Sequence, residues 1–514
     1  MKSLDAILAT AQKKSLTRSL GAFQLTMLGI GGIIGTGIFV LTAEAAQLAG
    51  PGMLISFVLS ALVCGLAALC YAELAAMVPV SGSAYTYSYA TFGEILAWIV
   101  GWALVLEYAV AASAVAVGWS GYIVGVLQNF AGITLPVELV NGPYAGGLIN
   151  LPAVVIALAV TWLLVIGTKE SATVNAILVV VKVAALAAFI ALAVPMAQSD
   201  KFVPFLPLGV SGTISAAAII FFAFVGFDAV STAAEETKDP QKNIPIGLVG
   251  SLVICTAFYM LVGAGVIGAY GAQPVPGPNG EALYPGSLEL AKQCATYAED
   301  VLPVVCSKEA LAHVLRMIGY PGIGNVLGLA AGFALPSVVL MMMFAQTRVF
   351  FVMSRDGLLP ASLSKVHPKY RTPHVVTIMT GVGVAIAAAF FPVGQLASVS
   401  NGGTLCAFFF VALAIMALRR SDPTRRRVFR TPAVWVVAPM AALGCLLLFA
   451  FLSWQAQAVF FGWAAIGLVF YFLYGRSRSN VARGVTEVGE LDPNVPPVGV
   501  APMPGAPTPG GRDA

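Results

Sequence analysis

The sequence predicts an all-α membrane protein with twelve transmembrane helices. Of the 514 residues, 59% are hydrophobic and only 10% are charged. A soluble protein has about 25% charged residues, because polar side chains must cover its surface. In addition, the chain contains a series of apolar runs of about 20 residues, which is the length of helix that crosses a bilayer.

Twelve such runs serve as the candidate spans. They cover residues 21–48, 53–78, 94–128, 150–167, 172–196, 212–235, 245–270, 323–354, 374–391, 402–419, 433–453 and 458–475. They predict one membrane domain over 21–475, between an N-terminal segment, 1–20, and a C-terminal tail, 477–514. The tail is rich in Pro, Gly and Val and lacks a patterned apolar content, so we expect it to be disordered.

The basic residues predict the orientation. If the N-terminus is cytoplasmic, four of the 27 Lys and Arg fall outside, one falls inside a span, and the others fall in the cytoplasm. Cytoplasmic loops carry an excess of Lys and Arg, so both termini are predicted to be cytoplasmic. The net charge of +4 points to no particular partner, and we expect no nucleic acid partner.

The first span contains the stretch GIGGIIGTGIF at 29–39, with five glycines in eleven residues. We expect these glycines to break the helix. A break exposes backbone N–H and C=O groups inside the membrane, which is tolerated only where the backbone lines a cavity or binds something. The alternative is a glycine face for helix packing.

The sixth span, ISAAAIIFFAFVGFDAVSTAAEE, contains Gly226 at its centre and Asp228 two residues later. The two broken spans, the first and the sixth, are five positions apart, so they cross in opposite directions. This pattern predicts an inverted five-helix repeat, with repeat one at about 21–196, repeat two at about 212–419 and two extra helices at 433–475. Half-helix N-termini suit a carboxylate and half-helix C-termini suit an ammonium, so we expect a zwitterionic ligand.

Three charged residues fall deep within spans, where charge is costly. Glu107 is either a structural carboxylate paired within the bundle or a substrate-site or gating acid. Asp228 either meets a substrate ammonium or a basic side chain, or caps the half-helix that follows the break. Lys182 has apolar residues on both sides, so it either exchanges protons during a cycle or reaches an interface with its long side chain.

Residues 271–322 form a long external loop whose second half has two helix-like segments. Cys294 and Cys306 lie in this loop, and we expect either a disulfide between them, if the compartment is oxidising, or two free thiols. The sequence has no metal-ligand spacing, nucleophile–base pair or nucleotide motif. We therefore expect no enzyme, no metal and no cofactor.

Five stretches in order carry a family resemblance: GIGGIIGTGIFV, YAELAAMVPVSGSAYTYSY, GEILAWIVGWALVLEYAV, FFAFVGFDAVSTAAEETKDPQKNIPIGL and QTRVFFVMSRDGLLP. The chain resembles the amino acid–polyamine–organocation superfamily of transporters, and within it the cationic amino acid transporter branch and its bacterial relatives. The resemblance covers about residues 20–475. It implies a fold like that of the leucine transporter, in a bacterial inner membrane.

The resemblance also implies a substrate site. The substrate carboxylate would meet the backbone at Gly35, Thr36 and Gly37, beside Ile33, and the ammonium would meet carbonyls near Phe222, Ala223 and Val225. Phe222 would be an aromatic gate. The pocket for the substrate side chain would be formed by Glu107, Ala111, Asp228 and Thr232.

The coupling ion follows from the same resemblance. Sodium-coupled relatives hold a sodium ion between the first and eighth spans, and in proton-coupled relatives a lysine of the fifth span takes that place. Lys182 matches this lysine. Pro336 makes the eighth span atypical, which leaves the contacts of Leu335 and Ser337 open.

These observations predict a secondary transporter that takes up cationic or broad-range amino acids with protons, by alternating access. One alternative is an amino acid exchanger without net proton coupling. Another is a sensor that binds amino acids without transporting them. The sequence leaves open whether a small single-helix membrane partner binds to the transporter.

Overall fold

The computed structural model describes residues 20–78, 83–167, 172–232, 237–298, 301–370, 372–480 and 483. Over these residues the regular structure is helical, and the β contacts are isolated bridges such as Leu20 with Thr237. The predicted all-α class is confirmed for this part of the chain. The N-terminal segment before Leu20 and the predicted tail from residue 484 lie outside the described residues.

Eighteen helices organise the described part of the chain. They are α1 (Ala22–Ile33), α2 (Thr36–Phe39), α3 (Leu41–Ala49), α4 (Met53–Met77), α5 (Ser83–Phe92), α6 (Glu94–Ala131), α7 (Leu151–Ile166), α8 (Ala172–Ala193), α9 (Gly209–Ile220), α10 (Ala229–Thr232), α11 (Pro240–Ala269), α12 (Leu288–Cys294), α13 (Ala310–Met317), α14 (Pro321–Arg355), α15 (His374–Phe390), α16 (Val393–Ser421), α17 (Val434–Ala450) and α18 (Trp454–Phe470). Further single helical turns occur at Val137–Val140 and Arg476–Arg478.

Each predicted span overlaps an apolar helix, although α16 begins at Val393 rather than at the predicted residue 402. Seven helical stretches of the described residues are long and apolar enough to cross a membrane, and five more apolar helices have 10–17 residues. Two of the five, Ala22–Ile33 and Gly209–Phe224, are the first parts of the two spans predicted to be broken. They are short because the chain leaves the helix there. The number of twelve crossings stays a prediction.

Helix packing divides the bundle into two groups around α6. This helix has 38 residues and a length of about 57 Å. In the first group, α6 packs against α14 and α16, and α7 packs against α15. In the other group α11 packs against α1 and α4, and α9 packs against α3 and α4. The broken segments therefore belong to this second group, and α2 of the first broken segment contacts α6.

The loop predicted at 271–322 is folded onto the bundle. Cys294 and Cys306 form a disulfide, which is the first of the two predicted alternatives. Helix α13 packs on α14, and its residues Ala310 to Leu315 are all buried. The side chain of Gln47 in α3 donates to the carbonyls of Val275 (2.9 Å) and Leu283 (3.1 Å), which ties the loop to the first broken span.

The chain remains ordered for a few residues beyond α18, although the sequence predicts disorder from 477. The side chain of Asn480 donates to the carbonyl of Arg355 (2.8 Å), and its backbone N–H donates to the carbonyl of Asp356 (3.0 Å). These carbonyls lie at the C-terminus of α14, where the helix itself supplies no donors. Satisfying them holds this segment on the bundle.

Candidate functional site

The first helix break lies within the glycine-rich stretch. Helix α1 ends at Ile33, and Ile34 is extended with ψ of 96°. Gly35 is fully extended, with φ of −147° and ψ of −150°, and α2 begins at Thr36. The last carbonyls of α1 and the first N–H groups of α2 therefore have no partners within a helix. The predicted break in the first span is present.

The second break lies at Gly226. Helix α9 ends at Ile220, one 3₁₀ turn covers Phe221–Phe224, and Val225 is extended with ψ of 143°. Gly226 then takes φ of +112°, a conformation that side chains with a Cβ rarely adopt. The chain returns to helix at α10. Both breaks thus expose backbone groups in the interior of the bundle.

The two breaks are in contact, and two of the five glycines, Gly32 and Gly37, lie at this contact. A Cβ on Gly32 would lie 2.9 Å from the carbonyl oxygen of Gly226, and one on Gly37 would lie 2.3 Å from the Cα of Ala223. The expectation that the glycines break the helix holds for Gly35. For Gly32 and Gly37 the packing alternative explains the residue, because only glycine lets the two backbones approach so closely.

A narrow cavity lies between the breaks. Six of the residues expected in the substrate site line it, namely Ile33, Gly35, Thr36, Gly37, Phe222 and Val225. Sequence reasoning missed four others, which are Gly32, Val115, Val338 and Met342. Val115 lies four residues, about one helical turn, after Ala111, so helical spacing was a usable signal. Thr36 supplies the only hydroxyl among these ten residues.

The predicted acids lie elsewhere. Glu107 is fully buried and does not line the cavity, and neither of its carboxylate oxygens has a hydrogen-bond partner among the described residues. Asp228 is also buried, and its Oδ2 accepts a hydrogen bond of 2.6 Å from the hydroxyl of Tyr108. Ala111 and Ala223 are buried without lining the cavity. The side chain of Thr232 is outside the described part of the chain.

Lys182 connects the first break to α14. Its side chain is 1% exposed, and Nζ donates to the carbonyl of Gly31 (3.0 Å) in the last turn of α1. Nζ also lies 3.4 Å from the hydroxyl of Ser337, the residue after Pro336. The proline therefore does not remove Ser337 from this contact. The snorkelling alternative does not fit, because the ammonium is held inside the bundle.

Comparison with known proteins identifies the family. A family model described as amino acid permease matches residues 20–474. The chain belongs to this amino acid permease family. The resemblance to the amino acid–polyamine–organocation superfamily is thereby confirmed, and the described helices are those of a multi-pass membrane protein.

Several relatives match nearly the whole permease. The branched-chain amino acid permease BcaP of Bacillus subtilis (strain 168) is 46% identical, over 93% of this chain and 97% of the relative. The methylthioribose transporter of the same organism is 40% identical, over 93% of this chain and 98% of the relative. The vacuolar cationic amino acid transporter 4 of Arabidopsis thaliana is 34% identical, over 79% of this chain and 64% of the relative. These relatives are named as permeases and transporters, so this permease is a transport protein rather than an enzyme.

Proposed function

We propose that this permease takes up amino acids with apolar side chains, coupled to protons, by alternating access. We further propose that twelve helices cross a bacterial plasma membrane with both termini in the cytoplasm. The observation that carries the coupling is the buried contact of Lys182 with Gly31, because it links a titratable group to the first helix break.

The backbone of the two breaks suits the common part of an amino acid. Gly35, Thr36 and Gly37 line the cavity, and the first N–H groups of a helix lack acceptors within it. These groups are the proposed partners of the substrate carboxylate. The ammonium is assigned to the carbonyls of the second break near Phe222, Ala223 and Val225, at the partly negative end of a half-helix.

The lining of the cavity favours an apolar substrate side chain over a cationic one. Val115, Val338 and Met342 supply hydrocarbon and thioether surface, together with Phe222. A guanidinium or ammonium buried there would need a carboxylate. Glu107 and Asp228 are not among the lining residues, and Tyr108 already donates to Asp228. The name of the 46% identical relative, a branched-chain amino acid permease, agrees with this substrate class.

Proton coupling follows from the position of Lys182. A charged lysine neutralises the carbonyl end of α1 and bridges to Ser337 of α14, whereas a neutral lysine attracts both less strongly. Loss of the proton would therefore loosen the contact between the first broken span and its neighbours. That change is the proposed link between the proton and the movement of the bundle.

The test is uptake of radiolabelled leucine and arginine into proteoliposomes in sodium-free buffer, with and without an inward proton gradient. The proposal expects gradient-stimulated leucine uptake that exceeds arginine uptake. Empty liposomes are the control, and unlabelled methylthioribose is added as a competitor. Uptake of arginine alone would overturn the apolar substrate class. Counterflow in preloaded vesicles without gradient-driven uptake would identify an exchanger.

A further inference from the structure

A tyrosine of α11 contacts both helix breaks at once. Tyr259 is fully buried, and its hydroxyl lies 2.8 Å from the carbonyl oxygen of Ile33 and 3.0 Å from that of Ala223. Ile33 is the last residue of α1, and Ala223 lies in the turn before the second break. No feature of the sequence singled this tyrosine out.

The two carbonyls need a donor. Each lies at the C-terminal end of a half-helix, where carbonyl groups have no helical partner and carry the negative end of the dipole. Two such ends that face each other repel unless a donor lies between them. The hydroxyl of Tyr259 has one proton, which the two oxygens share or exchange.

The ring of Tyr259 packs against two other aromatic rings. The ring of Phe57 in α4 lies 6.0 Å away between centroids, and that of Phe224 lies 5.3 Å away. These contacts fix the position of the hydroxyl, and the hydroxyl in turn fixes the separation of the carbonyls of Ile33 and Ala223. The rigid placement distinguishes this donor from a flexible side chain.

We propose that Tyr259 is a positioning residue for recognition of the substrate ammonium. It holds the carbonyl ends of the two half-helices together, so that the carbonyls of the lining residues Ile33, Phe222 and Val225 form a preformed site at the cavity. The proposal rests on the proposed function, since it takes an amino acid as the substrate. It assigns to Tyr259 a role in selecting the ammonium group, not in proton coupling.

The decisive readout is the discrimination between leucine and its hydroxy acid analogue, 2-hydroxyisocaproate, which replaces the ammonium by a hydroxyl. Competition by each compound against labelled leucine in membrane vesicles gives two affinities on one sample. Their ratio does not depend on the amount of folded protein. Tyr259→Phe keeps the aromatic ring and removes the hydroxyl. We expect the affinity for leucine relative to that for 2-hydroxyisocaproate to fall about tenfold, chiefly through weaker leucine binding.

Tyr122→Phe is the matched control. Tyr122 is also fully buried, and its hydroxyl donates to the carbonyl of Phe39 (2.8 Å), which belongs to the same broken span but does not line the cavity. Like Tyr259→Phe, this variant loses a buried tyrosine hydroxyl that donates to a backbone carbonyl. We expect it to keep the wild-type ratio of the two affinities, whatever its transport rate.

The outcomes separate the inference from the proposed function. Wild-type protein that neither binds nor transports leucine would overturn the proposed function, before any variant is made. Wild-type protein that transports leucine, combined with an unchanged ratio in Tyr259→Phe, would overturn the positioning role alone. An equal fall in both tyrosine variants would also overturn it, because the effect would then be general loosening of the bundle.

Discussion

The two helix breaks are built alike but are capped differently. At the first, the carbonyl of Gly31 in the last turn of α1 receives a hydrogen bond from the ammonium of Lys182 in α8. At the second, the side-chain amide nitrogen of Asn401 in α16 donates hydrogen bonds to two carbonyls in the last turn of α9. These are the carbonyls of Ala218 (2.7 Å) and Ile219 (3.1 Å). In the predicted repeat, α16 holds the place in repeat two that α8 holds in repeat one.

This difference in charge gives the two breaks different capacities. Both donors bond to buried carbonyls at the end of a half-helix, and the carbonyl of Ile219 has the backbone N–H of Phe221 as a second donor. An amide keeps its charge state at every pH that a cell meets, whereas an amine can release a proton. Of the two capping donors, therefore, only Lys182 can change its charge with pH, and Asn401 is a fixed neutral counterpart. Four substitutions test this comparison.

The largest effect is expected for Lys182→Ala, which removes the titratable donor. We expect gradient-driven uptake to be abolished while some leucine binding remains, because the cavity does not include Lys182. The measurement is uptake at several external pH values, with binding followed separately. Lys182→Gln is the control, since it keeps a donor without a charge and should bind leucine but ignore the gradient. Wild-type pH dependence in Lys182→Ala would refute the coupling role.

The next largest effect is expected for Gly37→Ala, which separates the two breaks. The new Cβ would lie 2.3 Å from the Cα of Ala223, so one backbone must move. We expect leucine affinity to fall by about a hundredfold or more, consistent with a displacement of the order of 1 Å in a recognition site. Gly65→Ala in α4 is the control, because its Cβ would meet only Leu252 at 3.7 Å. Unchanged affinity in Gly37→Ala would show that the carboxylate site lies elsewhere.

A smaller effect on transport is expected for Asn401→Ala, which removes the neutral cap. Loss of the amide leaves two buried carbonyls without this donor and should lower stability by about 1–3 kcal/mol. Thermal unfolding in detergent measures that loss. The pH dependence of the remaining uptake should match the wild type, and a shifted pH profile would contradict the assignment of the coupling proton to Lys182.

The smallest effect is expected for Ser337→Ala. The hydroxyl of Ser337 lies 3.4 Å from Nζ of Lys182, at the long limit of a hydrogen bond, and it already donates to the carbonyl of Ala334 (2.7 Å). We expect gradient-driven uptake to change less than about threefold, in line with a weak bond. A loss as large as that of Lys182→Ala would mean that the bridge to α14, rather than the cap on Gly31, carries the coupling.

The sequence by itself determined the local features of this permease. Apolar runs, glycine-rich interruptions and the position of Lys182 within a span depend on neighbouring residues only, so hydropathy and composition were sufficient to predict them. The same holds for the two breaks, which the sequence predicted within the stretch 29–39 and at Gly226, since a glycine inside an apolar run marks a place where the helix is weak.

Only the tertiary structure decided which groups meet at the breaks. Tyr259 lies 226 residues from Ile33 in sequence, and Asn401 lies 183 residues from Ala218. No local pattern marks a buried tyrosine or asparagine as a cap for a distant carbonyl. The apolar lining from Val115, Val338 and Met342, and the position of Glu107 outside the cavity, likewise depend on how separate helices pack against one another. The helix breaks are therefore determined by the local sequence, whereas the groups that bond to them are determined by tertiary packing.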